Sequence, residues 1–131
     1  ARLDPRPQRH AMELAMRVAG IGFRRAASLA ALAEALERAG PADALATVAT
    51  KVQAPVIREL AAATGLPLIA VDVAGIATPT QSPRVTALHG TGSLAEAAAL
   101  AALGPGAHIV VTRVTSADGM ATAAIAQGDP A

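Results

Sequence analysis

Apolar positions along the chain fall into short continuous runs that alternate with longer stretches of helical spacing. Met16 to Gly22 reads Met-Arg-Val-Ala-Gly-Ile-Gly, a short apolar strand ending in glycines. Ser28 then offers a side-chain oxygen as N-cap for a helix running to about Ala39, where Gly40-Pro41 stops it. Leu45 to Thr50 reads as a second strand. Pro55 stands where the first residue of a helix tolerates a missing N–H, and Gly65-Leu66-Pro67 supplies the stop. Leu68 to Val71 is a third strand, continuously apolar as expected where helices cover both faces of a parallel sheet.

Beyond it the pattern loosens. Asp72 is placed to cap a brief helical turn, and Gly75 to Pro83 forms a polar loop punctuated by Pro79 and Pro83, a candidate lid whose last residues can open another short helix. Ser93 to Glu96 matches a capping box that opens an Ala-rich helix through about Leu103, ended by Gly104-Pro105-Gly106. His108 to Val114 and Met120 to Ala126 read as two strands joined by the turn Thr115 to Gly119. The order β-α-β-α-β-(short α)-α-β-β predicts a single three-layer α/β/α domain with a mixed sheet, mainly parallel with a C-terminal antiparallel hairpin. Residues 1–11, carrying Arg2, Arg6, Arg9, Pro5 and Pro7, read as a flexible N-terminal tail, 12–127 as the domain and 128–131 as a C-terminal tail.

Composition narrows the choice. With 131 residues, 53% of them hydrophobic and 16% charged, the chain can bury a core and is too apolar for intrinsic disorder. One Phe is the only aromatic residue, so a core of Ala, Val, Leu and Ile needs helices and strands that approach closely. The same lack argues against single-stranded nucleic-acid platforms, which stack bases on aromatic rings. The absence of Cys excludes disulfide scaffolds, thiolate zinc sites and cysteine nucleophiles. Formal charge is +1, so any anion site must be local. No apolar run reaches the ~20 residues of a membrane span, and no signal-peptide pattern opens the chain, which predicts a cytoplasmic protein.

Gly20-Ile21-Gly22-Phe23-Arg24-Arg25 holds the first half of a dinucleotide fingerprint between a strand and a helix. Arg25 replaces the third glycine, and Thr50-Lys51 stands where an acid would bind a ribose, so a nicotinamide or flavin cofactor is not expected. What remains is a glycine turn able to bring backbone close to a ligand, beside two arginines suited to carboxylate or phosphate. The plainer reading is a tight turn with solvated arginines. Lys51, the only lysine, falls where the second strand ends, so it converges with Arg24 and Arg25 if the first two strands are neighbours. Otherwise it is an ordinary surface lysine. His10, His89 and His108 share no ligand spacing, and no metal site is expected. Ser28, Ser82 and Ser93 are explained as caps; Asp72 and Glu96, the acids near loop or helix starts on the ligand side, have capping as the plainer reading beside a general acid/base role, and no catalytic residue can be named.

Three segments together carry a resemblance: Gly20 to Arg25, Leu45-Ala46-Thr47 with Lys51, and Gly92-Ser93-Leu94-Ala95-Glu96-Ala97-Ala98-Ala99-Leu100. Their order and spacing, with the closing Met120 to Ala126, resemble the CobE/CbiG C-terminal domain family of cobalamin biosynthesis over about Arg17 to Ala126. Phe23 departs from the small or Cys residue common there, and Arg113 from a frequent lysine. The resemblance implies a stand-alone CobE-like protein that binds or processes a carboxylate-rich precorrin, a modified tetrapyrrole, without a cofactor. Arg24, Arg25 and Lys51, with Arg84, His89 and Arg113, would supply cations over an apolar floor, and Gly20 and Gly22 the close backbone approach. Two alternatives stand beside it. One is a non-catalytic scaffold or partner for other cobalamin biosynthetic enzymes, using its Ala-rich helices as contact faces. The other is a hydrolase opening the ring-A lactone of a precorrin, as in longer CbiG proteins.

Overall fold

The structure, a computed structural model, describes residues 16–81 and 93–128. Five strands and three helices follow in the order β1 (Arg17–Phe23), α1 (Leu29–Ala39), β2 (Ala44–Val48), α2 (Pro55–Thr64), β3 (Leu68–Val71), α3 (Leu94–Leu103), β4 (His108–Thr115) and β5 (Ala121–Gln127). They form one sheet of strand order β3-β2-β1-β5-β4. β1 pairs in parallel with β2, and β2 with β3, whereas β5 runs antiparallel to both β1 and β4. Four strands therefore point one way and only β5 points back. The chain steps outward from β1 to β3 with α1 and α2 on one face. It then crosses to the far edge through α3 on the other face, as right-handed crossovers in opposite directions require.

The two faces are built differently. Ala19, Ile21 and Phe23 of β1, Leu45 of β2 and Ile125 of β5 point to α1 and α2, where Leu32, Ile57 and Leu60 meet them. The period of two in β1 turns Val18, Gly20 and Gly22 the other way, beside Ala44, Ala46 and Val48 of β2. On this floor of small side chains lies α3, whose residues Leu94 to Ala99 are all buried. An aromatic-poor, alanine-rich composition thus becomes one layer of ordinary depth and one of close approach.

Helix ends follow local chemistry. The Ser28 hydroxyl accepts from the Ala31 N–H at 3.1 Å, and the Ser93 hydroxyl from the Glu96 N–H at 3.4 Å. Pro55 occupies the first turn of α2, and Gly65, with φ +72°, closes it in the left-handed conformation. Two expectations need correction. The second strand ends at Val48, and Ala49–Lys51 is a 3₁₀ turn. Asp72 caps no helix: its carboxylate accepts from the Ala74 N–H at 3.2 Å in a tight turn. The expected N-terminal tail of residues 1–11, the expected C-terminal tail of residues 128–131 apart from Gly128, and the end of the Gly75 to Pro83 loop lie outside the described residues.

Thr47 is the one wholly buried hydroxyl of β2, and it donates to the Ile21 carbonyl at 2.9 Å. Thr47→Val keeps the shape and removes that donor from β1. The expected cost is about 1–2 kcal/mol in denaturant unfolding, with an unchanged slope. An unchanged midpoint would mean that the carbonyl is satisfied without Thr47.

Candidate functional site

Because β1, β2 and β3 are parallel, the segments that follow them leave the sheet at the same end. These are Arg24 to Ala27, the Ala49–Lys51 turn and the loop from Asp72. The start of α3 and the turn between β4 and β5 lie at this end as well. In open α/β sheets this is the end at which ligands bind.

Lys51 ends its 3₁₀ turn beside the last residue of β1. Its ammonium group donates to the Phe23 carbonyl and stands 4.9 Å from the centroid of the Phe23 ring, a cation–π arrangement. Arg24 and Arg25 follow Phe23 directly and are exposed, while the Arg24 N–H is held by the Met120 carbonyl at 2.8 Å. Lys51 thus meets Phe23, the residue directly before Arg24 and Arg25, at the carboxyl end of two neighbouring parallel strands. Arg113 is half-buried near the end of β4. It belongs to the same end of the sheet, two strand spacings or roughly 10 Å from β1. Arg84 and His89 lie outside the described residues.

Gly20 and Gly22 are not where the sequence reading put them. Both lie inside β1, and the turn that follows starts at Arg24. The close approach they permit is to a helix: a Cβ on Gly20 would stand 1.8 Å from the Ala95 carbonyl oxygen and 2.7 Å from the Ala99 nitrogen. One on Gly22 would meet the Thr122 hydroxyl at 2.7 Å and the Leu94 Cβ at 3.6 Å. The space is filled by α3, so the glycines serve packing.

Acidic groups share this end. Asp118 accepts from the Ser116 hydroxyl at 2.7 Å and the Met120 N–H at 3.0 Å, and these bonds, that from Ser116 first, hold its carboxyl below the ordinary aspartate range. The plainer sequence expectation for Glu96 is a cap on α3. Instead it is wholly buried and its carboxylate faces the loop after β3 and strand β4. One signal was present in the sequence: it is the sole charge in Leu-Ala-Glu-Ala-Ala-Ala-Leu-Ala-Ala-Leu, a helix with no polar face for it to occupy.

A groove of about 690 Å³ lies elsewhere, between α1 and α2, lined by Ala33, Leu36, Leu60 and Leu66 with Glu34 and Glu37. Gly40 to Ala42, which lead into β2, also border it, so it opens toward the amino end of that strand. Among the described residues, no group of three or more His, Cys, Asp and Glu is placed to hold a metal, and no helix is long and apolar enough to cross a membrane.

Residues 17–126 match the family model described as cobalamin synthesis G C-terminus. The fold is similar to that of CobE, a protein from the cobalamin (vitamin B12) biosynthetic pathway, with a TM-score of 0.74 and 29% identity over 89% of this chain and 93% of that one. It is also similar to the cobalamin biosynthesis protein chiG from Agrobacterium tumefaciens, with a TM-score of 0.67 and 33% identity over 86% and 98% of the two chains. Curated proteins include no match to the chain.

Proposed function

The chain belongs to the cobalamin synthesis G C-terminus family, and from that premise we propose that it serves cobalamin biosynthesis by binding a carboxylate-rich precorrin at the carboxyl end of its sheet. The family supplies the pathway, and the cations at this end of the sheet support the proposed mode of action. The observation that carries the reading is the placement of Lys51 on the Phe23 carbonyl and ring, which gathers it with Arg24 and Arg25 at one end of two parallel strands.

Precorrins present acetate and propionate carboxylates around an apolar macrocycle. An arginine fork takes a carboxylate through two parallel N–H bonds, and a lysine meets it as a point charge. Arg24 and Arg25 are exposed to solvent, as a ligand entering from outside requires. Arg113 at the β4 side of the same end extends the cation set along the rim. The cytoplasm is the compartment this reading implies.

The scaffold reading has the groove between α1 and α2 in its favour, since an apolar floor with two glutamates suits a protein partner. Incubation with a series of pathway intermediates, followed by desalting and an absorbance spectrum, separates the two. Retained colour is expected for at least one polycarboxylate intermediate. A colourless protein after the whole series would remove the binding reading and leave the scaffold.

A further inference from the structure

A single buried acid joins three segments that border the site. Glu96 lies in the first turn of α3, wholly buried. Its Oε1 accepts from the Thr80 N–H at 2.8 Å, and its Oε2 from the Thr80 hydroxyl and the Arg113 N–H, each at 2.8 Å. The Arg113 N–H comes from a stretch of β4 where pairing with β5 slips: Val111 faces Ile125 and Val114 faces Ala123, so three steps on β4 oppose two on β5. Such a bulge leaves a residue out of the ladder, and here the carboxylate takes the Arg113 donor. On the loop side, the Thr78 hydroxyl donates to the Thr80 carbonyl at 2.8 Å and the Gln81 side chain to the Thr78 carbonyl at 2.7 Å. Thr78 to Gln81 is thus a closed unit, fastened to the protein by Thr80.

An apolar residue of similar size in this position would avoid the cost of desolvating a carboxyl group. The acid is matched to what surrounds it: a loop and a bulge whose donors need one acceptor. We infer that Glu96 is the positioning residue of the candidate site, holding the loop after β3 and the Arg113 segment of β4 in register with α3 while never touching ligand. The consequence for ligand rests on the tetrapyrrole-binding reading above. The consequence for the loop rests on the geometry alone.

Substitution separates these arms. Thr80 N–H and Arg113 N–H bond different oxygens, and a glutamine offers one acceptor oxygen and one NH₂ group. In Glu96→Gln, whichever way the amide sits, one of the two N–H groups faces an NH₂. Hydrogen exchange on the full chain should therefore quicken at one of these amides in Glu96→Gln and at both in Glu96→Ala, by about tenfold or more, while β1 and β2 stay protected. With cobyrinic acid, a corrin polycarboxylate, as probe, Glu96→Ala should weaken binding about tenfold and change the induced circular dichroism of the bound corrin. Glu96→Gln should recover part of both.

Unchanged exchange at Thr80 and Arg113 in both variants would overturn the inference. So would quickened exchange with wild-type affinity and wild-type induced dichroism, which would leave Glu96 a purely structural group. If Glu96→Ala fails to fold, Glu96→Gln alone carries the same decision. Failure of the binding reading shows in the wild-type protein, which would then give no induced signal, whereas failure of the positioning role shows only in the variants.

Discussion

Gly20→Ala should lower the thermal midpoint by about 10 °C or more, the largest effect expected of a methyl group added at any glycine among the described residues. The new Cβ would stand 1.8 Å from the Ala95 carbonyl oxygen and 2.7 Å from the Ala99 nitrogen, both backbone atoms of α3. A side chain in the way can turn aside, but helix backbone can yield only by moving the helix. Overpacking ordinarily costs about 1–3 kcal/mol, and a contact this short against backbone belongs at or above the top of that range. Gly22→Ala is the internal control, because its nearest neighbour is the rotatable hydroxyl of Thr122. A fall of only a few degrees is expected there, about 1 kcal/mol. Thermal unfolding followed by far-UV circular dichroism measures both. Equal midpoints for the two variants would mean that α3 does not ride on β1 at Gly20.

Replacing Arg24, Arg25 and Lys51 together by alanine should weaken cobyrinic acid binding by about a hundredfold or more while leaving the fold intact. Each charge-assisted contact to a ligand carboxylate contributes about 1–3 kcal/mol if desolvated in the complex, and less than about 1 kcal/mol if it stays at a wet rim. Arg24 and Arg25 are exposed, so their removal leaves the core untouched. Lys51→Ala does lose the Phe23 contacts, at a folding cost of about 0.5–1 kcal/mol for the cation–π part. Titration at two salt concentrations sharpens the test. Screening near ~0.15 M acts over about 8 Å, so wild-type affinity should fall with salt and the triple variant should respond less. Wild-type affinity in a folded triple variant would place the ligand away from this end of the sheet.

Much of the architecture is legible in the amino-acid sequence. Ser28, Pro55, Gly65 and Ser93 mark helix ends because capping and proline geometry are local matters, and each stands where it was expected. The parallel start of the sheet follows from alternation of strands and helices, and with it the placement of the Lys51 turn beside the end of β1. Position between strands was not legible. Nothing within Ala121–Gln127 states that it enters between β1 and β4, since the partner of a strand is chosen by the whole sheet. The glycines failed for a related reason: Gly-x-Gly after an apolar run suits both a turn and one face of a strand. The deciding fact is an alanine-rich helix some 75 residues later in the chain, where Ala95 and Ala99 meet Gly20. Local sequence offers Glu96 as a cap, whereas its carboxylate is bonded by Thr80 and Arg113, sixteen and seventeen positions away.

The place of β5 governs the order in which the molecule can be assembled. Arg17, the first residue of the first strand, faces Gln127, the last residue of the last. As the chain is synthesised, β1, β2 and β3 emerge with everything they need to pair, yet β1 then presents a bare edge of seven residues, the edge that becomes the middle of the finished sheet. It stays unpaired until β5 emerges. Contacts of such long separation make folding slow, and an open apolar edge invites a neighbouring chain to add its own strand. Growth temperature and rate of expression, rather than the stability of the finished domain, should therefore decide how much of this protein is recovered soluble.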